Sequence, residues 1–506
     1  MTAPRRRGRG RFAPRVVGIG LLGVAGTATL FAAFAAAFGE PGVPFLAAAV
    51  VAGPLGAAAF AAGRSGSDPS RRESLVAVLL LWIAVPAASA VPYAASGVLG
   101  PLDALFEAMS SFTTTGATVL QDFARFGRAL FLWRALGQWL GGVGIIVLFI
   151  AVFPQLAIAG RQLFQAEAPG PSEERLTPRL RNTAGAVLAV YVGLTVACLL
   201  GYLATGLSPF DALAHALTTL AAGGFSPEAR SFEAFGAGPQ WVATVFMAFA
   251  GANFALQYRA FTGRPRILLA DPEFRAYVAI ALAAGVALTL LLLPAYGPAE
   301  APRHALFQSF SILTTTGYAS LDFEAWGGRA QAVLVALMIV GGSAGSAAGG
   351  IKVVRLLIAV KNTAREVRHT LHPRAVLPVR VGRRVVPNEV LRAVTGFLTL
   401  YLMLMVATTG VLIAFGSDHL TAVTASLVTL GNVGPGLGAV GPMDTYAHLA
   451  APAKASLVFA MYAGRLEVVT VFVVFTADWW KIPRRVKRAR NASRDARAVD
   501  ASHEDA

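Results

Sequence analysis

Four short loops hold the residues of this 506-residue chain best suited to chemistry. They read TTTGAT (Thr113 to Thr118), AAGGFS (Ala221 to Ser226), TTTGYA (Thr314 to Ala319) and GNVGPG (Gly431 to Gly436). Laid over one another, all four have glycine at the fourth position: Gly116, Gly224, Gly317 and Gly434. None offers a nucleophile or an acid–base pair. What they offer is main-chain carbonyl oxygen, which can replace the hydration shell of a cation when several loops face one axis. Glycine suits such a loop because carbonyls that all turn one way require backbone angles that a Cβ disfavours. The candidate cation site is therefore Thr114, Thr115 and Gly116; Ala222, Gly223 and Gly224; Thr315, Thr316 and Gly317; and Asn432, Val433 and Gly434. Threonine ahead of glycine adds a hydroxyl oxygen to the ring. Ala222, Asn432, Val433 and Pro435 depart from the Thr-Thr-Gly pattern and make the rings uneven.

Each loop follows a short segment, near 102–113, 209–221, 302–314 and 417–430, too short to cross a bilayer and suited to a re-entrant half-helix. Helix-start residues stand at each beginning: Pro101 with Asp103, Ser208 with Pro209 and Asp211, Pro302, and Ser417 with Asp418. Such half-helices aim their negative C-terminal ends at the loops, which favours a cation. Long apolar blocks frame them. The chain is 56% hydrophobic and only 14% charged, and ten stretches approach the roughly 20 apolar residues of a span: 15–37, 44–63, 74–95, 129–153, 183–205, 239–257, 276–296, 330–360, 390–415 and 454–477. The predicted fold class is an all-α polytopic membrane protein. It has two N-terminal transmembrane helices (15–73) after a basic stretch (1–14). Four repeats of long span, half-helix, loop and long span follow, at 74–181, 182–274, 275–387 and 388–480, with a charged tail (481–506) that reads as disordered.

The net charge of +16 does not point to nucleic acid, because the basic residues flank apolar blocks without interleaved aromatics. They follow the positive-inside rule instead, with both termini cytoplasmic. The outer segments are predominantly acidic, which would concentrate cations; ordinary solvated loops explain the same composition. Cys198, the only cysteine, excludes an internal disulfide and reads as a small core residue. The first span is too long for a cleavable signal and reads as an anchor.

The runs TTTGYASLDF, GGSAGSAAGGIKVVR and GNVGPGLG resemble the Trk/Ktr/HKT superfamily of potassium transporters. The two extra N-terminal spans are similar to the Trk type of pore subunit. The resemblance covers roughly residues 15–480. It implies four membrane-pore-membrane repeats around one K⁺ pathway in the cell inner membrane, a homodimer, and a cytosolic ring of nucleotide-binding regulatory subunits. It implies K⁺ as the transported ion, no organic cofactor in this chain and no enzymatic activity. Members that conduct Na⁺ have Ser at the first filter glycine; Gly116 stands there in this chain.

Residues 341–350, GGSAGSAAGG, lie inside the eighth span. Five glycines would cost a continuous helix about 5 kcal/mol relative to alanine, so a break at mid-membrane is expected. The resemblance assigns this stretch to an intramembrane gate, with Gly341, Gly342, Ser343, Gly345, Gly349, Gly350 and Lys352. Close helix packing of small residues is the alternative. Gly341 to Gly345 also match G-x-S-x-G, but no strand precedes them. Ile351 stands where a phosphate-binding loop needs lysine. Arg465, mid-way along the last span, must face protein or water. Glu467, two residues on, points to another side of the helix. By resemblance, Arg465 projects below the filter as part of the gate; a buried salt bridge is the rival assignment. His215, His304 and His419 are expected to be exposed at the pore mouth. Gly137 and Gly141 read as helix packing, and the basic stretch 352–393 as attracting anionic lipid or a partner. The leading function is passive K⁺ uptake. The rivals are a Na⁺-permeable member of the same architecture and an ion-coupled secondary transporter. The latter predicts matching halves with broken spans, where the sequence offers four quarters and one evident break.

Overall fold

The structure, a computed structural model, describes residues 12–63, 70–151 and 176–480. The expectations for the basic start before residue 12 and for the tail from 481 fall outside the described residues. Seven described helices are long and apolar enough to cross a membrane: Phe12–Ala37, Val43–Ala62, Arg72–Ala95, Arg128–Leu148, Ala184–Ala204, Pro272–Leu313 and Asn388–Ala414. The first two pack closely against each other. A Cβ on Gly18 would lie 2.4 Å from the Phe60 nitrogen, so small residues set that approach. Their outer faces leave Leu30, Val50 and Leu55 exposed, as lipid-facing surfaces do.

The short helices are Pro101–Phe112, Pro209–Leu220, 298–313 and His419–Leu430. Local capping explains their starts. Ser208 accepts from Asp211 N–H and Asp418 from Thr421 N–H, while Pro101 and Pro209 stand in the first helical turn. The third is separated from its preceding span by Gly297, which is non-helical at φ +71° and ψ 174°. All four end in one motif. The N–H groups of Thr114, Ala222, Thr315 and Asn432 donate three residues back, and those of Thr115, Gly223, Thr316 and Val433 five residues back. This is the Schellman arrangement, and it needs a left-handed residue. The four that supply it have φ of +50°, +52°, +56° and +55° in chain order, and none is glycine.

Three of the ten expected spans are interrupted, where the sequence offered one break. The sixth is the helix Ala237–Ala250 followed, after residues 251–253, by Phe254–Phe261. The eighth is Gly328–Val340 and Val353–Leu371 around the expected glycine loop. The tenth bends by 109° between Ala451–Arg465 and the short helices of Val468–Phe475. The breaks satisfy one another. Ala250 O and Gly251 O, released at the end of the sixth span, accept from Ala347 N–H and Ser343 N–H of the eighth (3.1 and 2.9 Å). Unpaired main chain at membrane depth is therefore avoided by pairing two broken helices. Beyond the eighth span, a two-residue antiparallel hairpin pairs Arg380 with Val385 and Val381 with Arg384. It seats Val379, Val381 and Val386 on Ile358, Val390, Leu391 and Val394, an element the basic composition of this stretch concealed.

The last bend turns on Glu467, at φ +67°, and just before it Gly464 packs on the fourth short helix: a Cβ there would lie 1.9 Å from Leu430 O. Gly464→Ala should lower the thermal stability of the purified protein by roughly 2 kcal/mol or more. Gly410→Ala, where a Cβ meets nothing within 4 Å, should leave it unchanged or raise it. A detergent-solution melting curve measures both.

Candidate ion pathway

The four glycine loops close on one another in chain order. A Cβ on Gly116 would lie 2.4 Å from Gly223 O, on Gly224 1.8 Å from Thr316 O, on Gly317 2.0 Å from Val433 O, and on Gly434 2.7 Å from Thr115 O. Each glycine thus rests against the carbonyl preceding the glycine of the next loop, and the last loop returns to the first. The glycines have φ of +83°, +75°, +79° and +101°. Both the angle and the space exclude a side chain. Of the candidate site, these contacts join Thr115, Gly116, Gly223, Gly224, Thr316, Gly317, Val433 and Gly434, and all non-glycine members of the site are buried.

One polar side chain per short helix ties that helix to the chain just beyond its glycine. Glu107 accepts from Thr118 Oγ1 and Val119 N–H, both at 3.0 Å with one or other oxygen. His215 Nε2 lies 3.0 Å from Ser226 Oγ, Gln308 Nε2 donates to Tyr318 O at 3.1 Å, and Thr424 Oγ1 both donates to Leu437 O and accepts from Leu437 N–H. His304 adds a contact to Ser320 Oγ at 2.9 Å. His215 and His304 are 0% and 3% exposed, so the expectation of exposed pore-mouth histidines fails for both, and of the three only His419 is exposed. The reason is geometric. The re-entrant chain needs an inward-facing strut, and an imidazole on the inner helix face supplies it.

Neighbouring loops are also cross-linked. Arg134 donates to Glu107 (2.5 Å) and to Ser226 O (3.1 Å), with its guanidinium 3.4 Å from the centre of the Phe225 ring. Tyr318 O–H reaches Thr218 and Thr219 of the second unit. Glu324 accepts from Gly438 N–H at 2.8 Å, and Tyr446 N–H donates to Thr118 O at 2.8 Å. Glu324 lies outside the spans; burial raises its carboxyl above the ordinary value, against the lowering effect of the Gly438 N–H. Asn432 Nδ2 bridges Thr115 Oγ1 (3.0 Å) and Met461 O (3.1 Å). The Thr115 and Thr316 hydroxyls lie 2.7 Å from those of Thr113 and Thr314, so the hydroxyls expected in the ring brace the loops instead.

The loop 341–352 lies against this ring. Gly349 N–H donates to Thr315 Oγ1 at 2.7 Å, and a Cβ on Gly349 would come 2.3 Å from Gly431 O. Gly341, Gly345, Gly350 and Lys352 have positive φ, so the stretch folds back on itself, and Gly342 O accepts from Val353 N–H. Asn253 Nδ2 donates to Ala344 O at 2.8 Å, and the buried Glu273 carboxylate accepts from Ala344 N–H (2.7 Å) and Val354 N–H (3.3 Å) near the two ends of the loop. Lys352 Nζ donates to Ala348 O. Arg465, 3% exposed, donates from Nη1 to Ala347 O at 2.8 Å, while its Nε and Nη2 have no hydrogen-bond partner among the described residues. Glu467 pairs with Arg355 at 2.6 Å, so Arg465 and Glu467 do take different partners. Between Ala348, Gly349, Lys352, Gly464 and Arg465 a cavity of about 10 Å³ remains, room for about one water molecule.

A family model described as "TrkH: Cation transport protein" matches residues 47–481. The chain belongs to the TrkH family. The Trk system potassium uptake protein TrkH of Vibrio parahaemolyticus is 37% identical over 451 residues, covering 87% of this chain and 93% of that protein. The Escherichia coli K12 protein of the same name is 36% identical over 418 residues, covering 81% and 86%. The crystal structure of the potassium transporter TrkH from Vibrio parahaemolyticus superposes with a TM-score of 0.83 at 33% identity, over 93% of this chain and 99% of that one.

Sequence reasoning missed Glu107, Arg134, Gln138, Asn253 and Glu273. Arg134 and Gln138 carried a readable signal, polar residues four apart inside an apolar span. Glu273 carried none, because a glutamate in a first helical turn is ordinary. Arg134→Met should destabilise the protein by about 3 kcal/mol, because it leaves the Glu107 carboxylate buried and unpaired. Adding Glu107→Gln should recover part of that loss, as read from melting temperatures of single and double variants.

Proposed function

We propose that this chain is the pore-forming subunit of a K⁺ uptake system, with the glycine ring as its selectivity filter. The carrying observation is the closed contact order of the four loops. It sets four main-chain carbonyls, from Thr115, Gly223, Thr316 and Val433, each against the glycine of a neighbouring loop, so that the four close into a ring. A cation stripped of water needs several oxygens at once, and fixed carbonyls supply them without side-chain ionisation. The short helices add the negative ends of their dipoles. The units at 74–181, 182–274, 275–387 and 388–480 act as four pore repeats, and 15–73 as an added helical pair. The relatives named for potassium uptake make K⁺ the ion of choice. No chemical conversion and no organic cofactor enters this scheme; K⁺ is cargo.

The 341–352 loop and Arg465 form the gate of this scheme. A fixed positive charge beside the pathway repels a cation. Opening requires the loop to leave Thr315 and Arg465. The basic face that follows, Val353–Leu371 and the hairpin, is a surface through which a cytosolic nucleotide-binding ring would pull on the loop. The subunit works as a homodimer in the inner membrane with both termini cytoplasmic.

Three outcomes are expected in a K⁺-uptake-deficient bacterium. The chain, with its cytosolic partner where needed, should restore growth on low K⁺. Gly116→Ser and Gly317→Ser, expressed equally, should fail or admit Na⁺; wild-type behaviour of both would remove the filter assignment. Arg465→Gln should raise Rb⁺ uptake about tenfold or more by removing the charge barrier; unchanged or lower uptake with intact folding would remove the gate assignment.

A further inference from the structure

The first and third loops carry the same internal brace. Thr113 Oγ1 donates to Met109 O (2.6 Å) and lies 2.7 Å from Thr115 Oγ1; Thr314 Oγ1 donates to Phe310 O (2.7 Å) and lies 2.7 Å from Thr316 Oγ1. The second loop has Ala221 and Gly223 at these positions and has no such hydroxyls. Gln138, from the helix Arg128–Ala151 of the first unit, takes their place. Its Nε2 donates to Gly223 O at 2.6 Å, its Oε1 accepts from Phe225 N–H at 3.2 Å, and it is 0% exposed. It therefore grips the second loop on both sides of Gly224.

Two consequences follow from this placement. A Cβ on Gly223 would lie 2.4 Å from the Gln138 Cδ and Oε1, so a side chain at 223 would push the glutamine amide off the loop. Gly223 O is also the ring oxygen that rests against Gly116. An amide N–H on that oxygen draws part of its negative charge away from a passing cation. No side-chain amide among the described residues reaches Thr115 O, Thr316 O or Val433 O.

We propose that Gln138 is a positioning residue that sets ion preference, holding the second loop in the ring and weakening one of its four carbonyl oxygens. This rests on the ring being the cation filter. A looser second loop lets the ring contract around a smaller ion, so loss of Gln138 favours Na⁺.

The test measures Rb⁺ uptake by the full chain, with its cytosolic partner, in a K⁺-uptake-deficient bacterium, and the Na⁺ concentration that halves it. Gln138→Leu should still transport Rb⁺, because the main-chain bonds of the second loop remain (Ala222 N–H to Thr219 O at 3.0 Å, Gly223 N–H to Thr218 O at 2.9 Å). Its preference for Rb⁺ over Na⁺ should fall about fivefold or more. A preference unchanged from wild type overturns the proposal. Gly116→Ser separates the two readings. If it shifts the preference and Gln138→Leu does not, the ring stands and Gln138 is only structural. If neither does, the filter reading itself fails. Should Gln138→Leu not reach the membrane, Gln138→Met, of nearly the same shape without the amide, is read for the same preference. It should lose preference for Rb⁺ over Na⁺ as Gln138→Leu does. An unchanged preference overturns the proposal.

Discussion

The structure depends on one close contact made four times: a glycine Cα against the carbonyl oxygen that precedes the glycine of the next loop. With 1.8–2.7 Å between each oxygen and the site of a hypothetical Cβ, no loop admits a side chain there. The contact forces the four loops to one depth, and each half-helix must therefore end at that depth. This explains the shared Schellman ends, each of which accepts a left-handed threonine, alanine or asparagine at a cost of about 1 kcal/mol. It also explains the inward polar struts, since an irregular segment inside a membrane keeps its geometry only if its polar groups are satisfied within the protein.

The same accounting governs the broken spans. A helix interrupted at membrane depth releases carbonyls and N–H groups that lipid cannot satisfy. The carbonyls of Ala250 and Gly251 and the N–H groups of the 341–352 loop solve the problem for each other, while Glu273 and Asn253 take up Ala344. The loop is held by many weak, exchangeable contacts rather than by one salt bridge. Such contacts can be exchanged without breaking an ion pair, which suits the gate proposed for this loop. Arg465 fits this picture: it is anchored by one main-chain carbonyl, and its Nε and Nη2 are buried without a hydrogen-bond partner among the described residues.

Much of this was legible from residue type and spacing. The four glycines and the short segments before them could be read because a re-entrant half-helix has a length of its own and a glycine at its end. The glycine run of the eighth span could be read because helix propensity penalises it heavily. Two other breaks were concealed. Gly251 and Gly464 are single glycines in apolar helices, and what breaks the chain beside them is contact with another unit, which no local propensity encodes. The histidines misled for a related reason. Near an expected outer surface, imidazole suggests water, but the surface curves inward at the re-entrant helices and buries His215 and His304. The hydroxyls of Thr115 and Thr316 turned to bracing because their partners, Thr113 and Thr314, lie two residues earlier in the same motif. Gln138 is legible only as a polar residue in a span; that it completes the second loop depends on a contact 85 residues away in sequence.

The central claim is that the ring holds a dehydrated cation, and locating Rb⁺ by anomalous scattering in crystals grown in Rb⁺ tests it most directly. The account predicts an anomalous peak on the axis of the four loops, bounded by the carbonyls of Thr115, Gly223, Thr316 and Val433. Well-ordered loops with no peak between them, and Rb⁺ density at another place in the membrane region, would contradict it.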